Sequence, residues 1–480
     1  MHSDPTAQNR ANRRIIVSGL AMAMFLSAIE ATIVATAMPT IVGDLGGMNL
    51  FGLVGSSYLL SSTVMIPLYG RLADLRGRKT MMLLGIFLFL LGSSICGAAH
   101  RLGILIVGRV IQGMGAGAIQ PITITLIGDL FSLEERGRIQ GLMGTIWGFA
   151  GVCGPLVGAF LVDHPDIFGW RSIFWLNLPF GLIAATIIGR TLREPLHSGK
   201  SPRIDWLGAV LLISGSGALL VASGGVYAVE LAVVGFALLV MLVLVERRME
   251  EPLLPLTLLT RRDVAIGSMS ALLMGACFMG IVNSLPLYIQ SGLGRTPVDG
   301  GSSLTPLLIG WPIAATTTSF LLVRTGFRTP LLIGSVAVAM ATLGLHVWML
   351  HPIKAILWPV MLLMGAGLGL TTTSVIIAVQ TSVNYNQRGL ATALNMFGRS
   401  MGGAIGVGVA GMMLGIGINA HHSAGNPAVE PEALTEILSK VFITLSLLAV
   451  MHIPLCLLYP ARSSRKAPGD EAVVAPALIE

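Results

Sequence analysis

The chain has 480 residues, 54% of them hydrophobic and only 11% charged, against roughly 25% charged in soluble domains. Mean hydropathy is +0.81 and the pI is near 9.5. These values exclude a soluble enzyme, and because the positive charges sit in scattered loops, they exclude a nucleic-acid binder as well. They predict a polytopic membrane protein, all-α because a helix satisfies its own backbone in lipid.

In chain order, apolar runs near the ~20 residues that cross a bilayer predict fourteen spans: 15–38, 51–69, 80–99, 102–126, 140–162, 173–188, 206–222, 227–245, 265–290, 301–322, 330–350, 355–381, 389–417 and 437–459. The sixth and seventh are short. Most Lys and Arg fall in alternate connections and at the two termini, while Arg101, Arg171, Arg295 and Lys354 lie on the other side. By the positive-inside rule both termini are expected to be cytoplasmic.

The first span follows Arg13 and Arg14, as in a signal peptide. Its apolar run is longer than the usual ~7–15-residue core and carries Glu30. It therefore reads as a retained helix. The four cysteines, Cys96, Cys153, Cys277 and Cys456, all fall in apolar spans. They read as packing residues with neither disulfide nor metal spacing. No cofactor is implied, and no nucleotide-binding loop is present.

Glu30 is the carboxylate that these spans place well inside the membrane, where a charge is costly and by default functional. The first span runs outward and the fourth runs inward. At ~1.5 Å per residue, Glu30 and Arg109 both lie roughly 10–12 Å below the outer boundary. A pair is geometrically open to them. Such a pair could carry protons, since burial raises a carboxyl pKa and a nearby arginine lowers it. The alternative is a static ion pair that only orders the helices.

The connection Gly70-Arg-Leu-Ala-Asp-Leu-Arg-Gly-Arg-Lys79 is short and strongly basic. Asp74, Arg78 and Asp129 should all lie at the cytoplasmic ends of the second, third and fourth spans. A weak repeat aligns Gly70–Thr80 with Ser319–Thr329, with Gly77 matching Gly326 and Lys79 matching Arg328. Asp74 is matched by Val323 and Arg78 by Phe327, so any charged cluster is expected on one side only. The fifth span is glycine-rich around Gly154, Pro155 and Gly158, which suits close helix packing. Arg399 lies near mid-depth of the thirteenth span. Asn283, Asn395 and Arg399 could line a cavity, or simply bond helix to helix. His346 and His452 lack the partners that an intramembrane enzyme needs.

The basic loop resembles the signature Gly-x-Leu-Ala-Asp-x-x-Gly-Arg-Lys of the major facilitator superfamily, with Gly70, Asp74, Gly77, Arg78 and Lys79 in place. Further motifs are similar to those of its fourteen-span drug–proton antiporter branch. They are Ile29-Glu-Ala-Thr-Ile-Val-Ala-Thr-Ala-Met-Pro39, Arg109-Val-Ile-Gln-Gly-Met-Gly115, Gly148-Phe-Ala-Gly-Val-Cys-Gly-Pro-Leu-Val-Gly158, Gly169-Trp-Arg-Ser-Ile-Phe-Trp-Leu-Asn-Leu-Pro179, Glu251-Pro-Leu-Leu-Pro255, Leu285-Pro-Leu-Tyr-Ile-Gln290 and Gly389-Leu-Ala-Thr-Ala-Leu-Asn-Met-Phe-Gly-Arg399. The chain departs from the branch at Glu30, where Asp is usual, and at Ala35, where Asn is usual.

The resemblance implies a major facilitator fold with two six-helix bundles and two inserted helices. The expected division is a cytoplasmic tail 1–14, a first bundle 15–190, the inserted pair with its linkers 191–263, a second bundle 264–460 and a disordered cytoplasmic tail 461–480. It implies a proton-coupled multidrug exporter of the plasma or bacterial inner membrane. Its partners would be an amphipathic small molecule, protons and the lipid bilayer, and whether a periplasmic adaptor joins them is open. Glu30 and Arg109 would couple protons, and Asp74, Arg78 and Asp129 would clasp the halves when the cavity faces out. Gly154, Pro155 and Gly158 would seal the cavity. A specific exporter of a lipid, siderophore or metabolite with the same fold is the alternative.

Overall fold

The structure, a computed structural model, describes residues 5–45, 51–164, 169–192, 205–222, 228–249, 256–295, 297–423 and 431–459. Among these residues all regular structure is helical. The helices are α1 (Pro5–Leu45), α2 (Phe51–Arg76), α3 (Arg78–Gly97), α4 (Leu102–Leu130), α5 (Leu133–Asp163), α6 (Ser172–Trp175), α7 (Asn177–Thr191), α8 (Trp206–Ala222) and α9 (Ala228–Glu246). They continue as α10 (Leu256–Leu259), α11 (Arg262–Leu287), α12 (Pro297–Ser302), α13 (Thr305–Thr325), α14 (Arg328–Leu350), α15 (Lys354–Thr381), α16 (Arg388–Ser423) and α17 (Pro431–Leu457).

Among the described residues ten helices are long and apolar enough to cross a membrane, and two shorter apolar stretches, Leu207–Ala218 and Val233–Glu246, belong to α8 and α9. Helices α2 and α16 are long but lie outside that set of ten. The fourteen-span count is therefore not established.

Several boundaries differ from the sequence reading. α1 begins at Pro5, so much of the expected tail is helical. The expected sixth span is broken at Leu176 into α6 and α7. The basic connection is not an open loop. α2 continues through Asp74 to Arg76 and α3 starts at Arg78, leaving Gly77 alone between them at φ 99°. A left-handed residue lets two helices meet with almost no connection, and glycine adopts it without steric cost. The motif Glu251–Pro255, the tail 461–480 and the side chain of Pro155 lie outside the described residues.

The helices pack as two groups. In the first, α1 contacts α5 and α7, and α4 contacts α2 and α3. In the second, α11 contacts α16 and α17, and α15 contacts α13 and α14. α8 and α9 pair with each other, and α8 also rests on α2 and α16 through Leu68, Leu211, Leu212 and Phe397. Large apolar side chains on the outer faces are exposed, among them Phe87, Phe160, Phe236 and Val347. That is the inverse of a soluble core and suits a lipid solvent.

Small residues set the approach of the helices, as is usual where lipid gives no hydrophobic drive between them. Gly85, Gly92 and Gly115 allow α3 and α4 to touch along their length. A methyl group at Gly92 would lie 2.6 Å from Cα of Gln112. Gly92→Val is therefore expected to cost about 1–3 kcal/mol through overpacking, and to displace Gln112. At Gly103 a methyl group meets nothing within 4 Å. Gly103→Ala serves as the matched control in thermal melting of the purified protein.

Among the described residues the two groups meet closely at the Gly77 end. Along the α5–α13 seam a methyl group at Gly137 or Gly141 would collide with Ser319 or Thr316. At Gly144 and Gly148 it would reach ordinary contact, 3.7 and 3.6 Å, and at Gly151 it meets nothing within 4 Å. The groups are thus shut at the Gly77 end and diverge toward the other.

Candidate functional site

Glu30 projects from α1 into the centre of the first helix group and is fully buried. Its Oε1 lies 2.5 Å from Nη1 of Arg109 on α4, so the pair that the sequence left open is formed. Three further helices contribute: α2 through Val54 and Tyr58, α3 through Ser93 and α7 through Asn177. Asn177 on α7 donates to Glu30 Oε2 at 2.7 Å. Arg109 also donates to Gln112 Oε1 at 2.7 Å and to the carbonyl of Val54 at 3.3 Å. Ser93 on α3 accepts from Gln112 at 2.7 Å and from Asn177 at 3.1 Å. The guanidinium stacks 4.2 Å from the ring centroid of Tyr58.

The physics of this cluster is that of a buried ion pair. Desolvating two charges costs several kcal/mol each, and only good geometry with further hydrogen bonds offsets it. Here both carboxylate oxygens have donors and the arginine has three acceptors. Removing one partner would strand the other, at a cost of about 3–5 kcal/mol. Asn177, Gln112 and Ser93 were not singled out from the sequence. Gln112 and Asn177 sit inside the quoted motifs as polar residues in apolar runs, and that was the available signal.

The second cluster closes the Gly77 end. Arg78 lies 3.1 Å from both Asp74 Oδ1 and Asp129 Oδ2, so the three expected residues do meet. The cluster also crosses to the second group. Asp74 accepts from the backbone N–H of Gly389 at 2.9 Å and of Leu390 at 2.8 Å, in the first turn of α16. A carboxylate there satisfies unpaired amides and meets the positive end of the helix dipole. Arg388 reaches Asp129 at 3.3 Å. Arg78 donates to the carbonyl of Tyr385 at 2.7 Å and lies 3.9 Å over its ring. Gly70 makes the approach feasible, since a methyl group there would meet Ala393 and the Gly389 backbone. Lys79 is half-buried beside the cluster.

One layer deeper, Gln380 on α15 donates to the carbonyl of Ile124 at 3.0 Å and to Thr392 Oγ1 at 3.1 Å. On the other seam no charge replaces Asp74, as Val323 foretold. Instead Ser319, the repeat partner of Gly70, accepts from the N–H of Gly137 at 2.6 Å. That side has a neutral contact, on which the sequence reading was silent.

The remaining candidates divide. Gly154 packs on Thr32 and Ile33 of α1, and Gly158 is buried. Asn395 is buried and donates to the carbonyl of Gly267 at 3.0 Å, a helix-to-helix bond. Asn283 is exposed and bonds Met279 of its own helix at 2.8 Å, so it joins no cluster. Arg399 is half-buried in α16, with its backbone carbonyl against Gly275 of α11. At the open end Asp44 accepts from Trp170 at 2.9 Å and Arg171 at 3.0 Å. These bonds hold its carboxyl below the usual carboxylate range. Among the described residues no group of three or more His, Cys, Asp or Glu could hold a metal.

Comparison with known proteins decides the family. The profile described as Major Facilitator Superfamily matches residues 20–407. The chain belongs to the Major Facilitator Superfamily. It is a secondary transporter rather than an enzyme, and a multi-pass membrane protein. Over 423 residues it is 33% identical to the "Multidrug transporter protein MdtP" of Bacillus subtilis, covering 86% of this chain and 76% of that one. It is also 33% identical to "Multidrug resistance protein 3" of the same organism over 417 residues, 85% of this chain and 81% of that one. Among fungal relatives, the "Efflux pump dotC" of Dothistroma septosporum is 32% identical over 421 residues, 83% of this chain and 71% of that one. Among solved structures, the proton:xylose symporter XylE superposes with a TM-score of 0.64 at 13% identity, covering 93% of this chain and 97% of that one. The human organic anion transporter MFSD10 gives 0.66 at 16%, covering 92% and 99%. At such identities both speak for the fold alone.

Proposed function

We propose that this transporter is a proton-coupled antiporter that exports amphipathic, drug-like compounds by alternating access. It resides in a plasma or bacterial inner membrane with both termini and the Gly77 end on the cytoplasmic side. In this reading the helices form six plus two plus six spans, with α8 and α9 as the inserted pair. The relatives named multidrug transporters or efflux pumps support the substrate class. The observation that carries the coupling is the fully buried Glu30 against Arg109. A proton on Glu30 would cancel its charge and release Arg109 from an ion pair that five helices converge upon. Loss of the proton would restore the pair, so proton occupancy biases which packing of α1, α2, α3, α4 and α7 is favoured.

The second cluster is the proposed clasp of the outward-facing state. Asp74, Arg78 and Asp129 on the first group would hold Arg388, Tyr385 and the first turn of α16 on the second. They perform no chemistry and weight the equilibrium between states.

The charge inventory sets an expected preference. Glu30 faces Arg109, Asp74 and Asp129 face Arg78, and Asp44 faces Arg171. Among the described residues, these pairs leave a dication entering such a low-dielectric cavity no two uncommitted carboxylates, which is costly. Monocationic dyes are expected to compete for transport better than matched dicationic ones. A dication carried as well or better would remove this argument. The test of the function as a whole is transport of a panel of amphipathic compounds in proteoliposomes, with and without an imposed pH gradient.

A further inference from the structure

Arg399 differs from the other arginines set among these helices. Arg78, Arg109 and Arg136 each have carboxylate or carbonyl partners. Arg399 has neither a hydrogen bond nor an ion pair among the described residues, and in the six-plus-two-plus-six reading proposed above α16 is one of the spans. It stands eleven residues from the start of that helix, about 16 Å along it, which is near mid-depth. A guanidinium there is expensive and calls for a partner, which the described residues do not supply.

The register of α16 tells where Arg399 looks. Thr392 is seven residues earlier, two turns down the same face, and its hydroxyl accepts from Gln380. Gln380 also bonds the carbonyl of Ile124 on α4, closing the seam between the two helix groups. Arg399 therefore stands about 10 Å above that seal, on the side where the groups diverge. On α4, Gln120 lies one turn above Ile124 on the facing wall. It too is half-buried, and its amide has no partner among the described residues. One fixed cation and one neutral donor thus look over the same closed floor. A guanidinium offers a planar fork that matches a carboxylate in two hydrogen bonds.

We propose that Arg399, aided by Gln120, forms an anion-receiving subsite in the transport cavity, and that the substrates include amphipathic molecules bearing one carboxylate. This rests on the exporter reading for its cavity, but its test does not need transport. Dansylglycine carries a carboxylate, and dansylglycinamide is its neutral match. Binding of each to the full chain in lipid nanodiscs is read by dansyl fluorescence, with no gradient present. Arg399→Gln is expected to weaken dansylglycine binding at least tenfold and to leave dansylglycinamide unchanged. Arg399→Lys is expected to restore part of the carboxylate affinity, and Gln120→Leu to lose severalfold. Equal loss of both probes in Arg399→Gln would mark Arg399 as structural and overturn the proposal. So would unchanged dansylglycine binding. Arg399-dependent binding without transport in liposomes would keep the subsite and reject the exporter. Transport of both probes by Arg399→Gln at wild-type rates would do the reverse.

Discussion

Glu30→Gln is expected to leave the protein folded and to abolish gradient-driven transport. The substitution keeps the size of the side chain and its capacity to hydrogen-bond. An amide oxygen can still accept from Arg109, and the Asn177 amide can turn its own oxygen toward the new donor. What is lost is the ability to titrate. The folded fraction, read by melting and elution profile, should stay near wild type. Accumulation against a pH gradient should fall to the level of empty liposomes. Glu30→Asp is expected to retain part of the activity, because the carboxylate remains but sits one methylene further from Arg109. Arg109→Ala behaves differently. It leaves Glu30 buried without its cation, at about 3–5 kcal/mol, so loss of folded protein is expected before any loss of coupling can be read. Full gradient-driven transport by the Gln variant would remove Glu30 as the proton carrier.

The second large effect is expected at Asp74. Its carboxylate takes two backbone N–H groups of α16 and one guanidinium, all across or beside the closed seam. Hydrogen bonds to a charged group contribute about 1.5–3 kcal/mol each. Asp74→Asn weakens this set without emptying the space. The loss of even one such bond shifts the balance between states roughly ten- to a hundredfold toward opening at the Gly77 end. Cysteines placed on that side of the seam should react faster with a water-soluble thiol reagent in the variant. Val323→Asp is expected to do nothing comparable, since Phe327 offers no cation at the position related to Arg78. Equal reactivity in wild type and Asp74→Asn would remove the clasp.

Much of this arrangement was legible in the sequence, for a physical reason. A carboxylate or guanidinium inside an apolar run is too costly to be incidental, so Glu30 and Arg109 stood out, and helix rise alone placed them at one depth. Asp74, Arg78 and Asp129 stood out for the same reason at the ends of their spans. The uncharged members of both clusters did not. Ser93, Gln112, Asn177 and Gln380 cost little in a helix, and many such residues in this chain bond only their own helix, as Asn283 does. The far side of the clasp was hidden more deeply. Asp74 is held by the backbone amides of Gly389 and Leu390, and a backbone amide has no side-chain signature. The repeat pointed to Val323 and so to a second seam without the charged cluster, but it gave no sign of the hydroxyl of Ser319 that accepts from Gly137 there. Helix ends were also misjudged. Charged residues look like loop, yet α2 runs through Asp74 to Arg76 because its last turn is buried against α16.

The central claim is that Glu30 exchanges a proton for substrate. Its most direct test is proton movement itself, measured with a pH-sensitive dye trapped in proteoliposomes of the purified protein, when a transported amphipath is added without any imposed gradient. Wild type is expected to move protons opposite to the substrate and in proportion to it, while Glu30→Gln moves none. Substrate transport by wild type with no proton movement, or proton movement that persists in Glu30→Gln, would contradict the account.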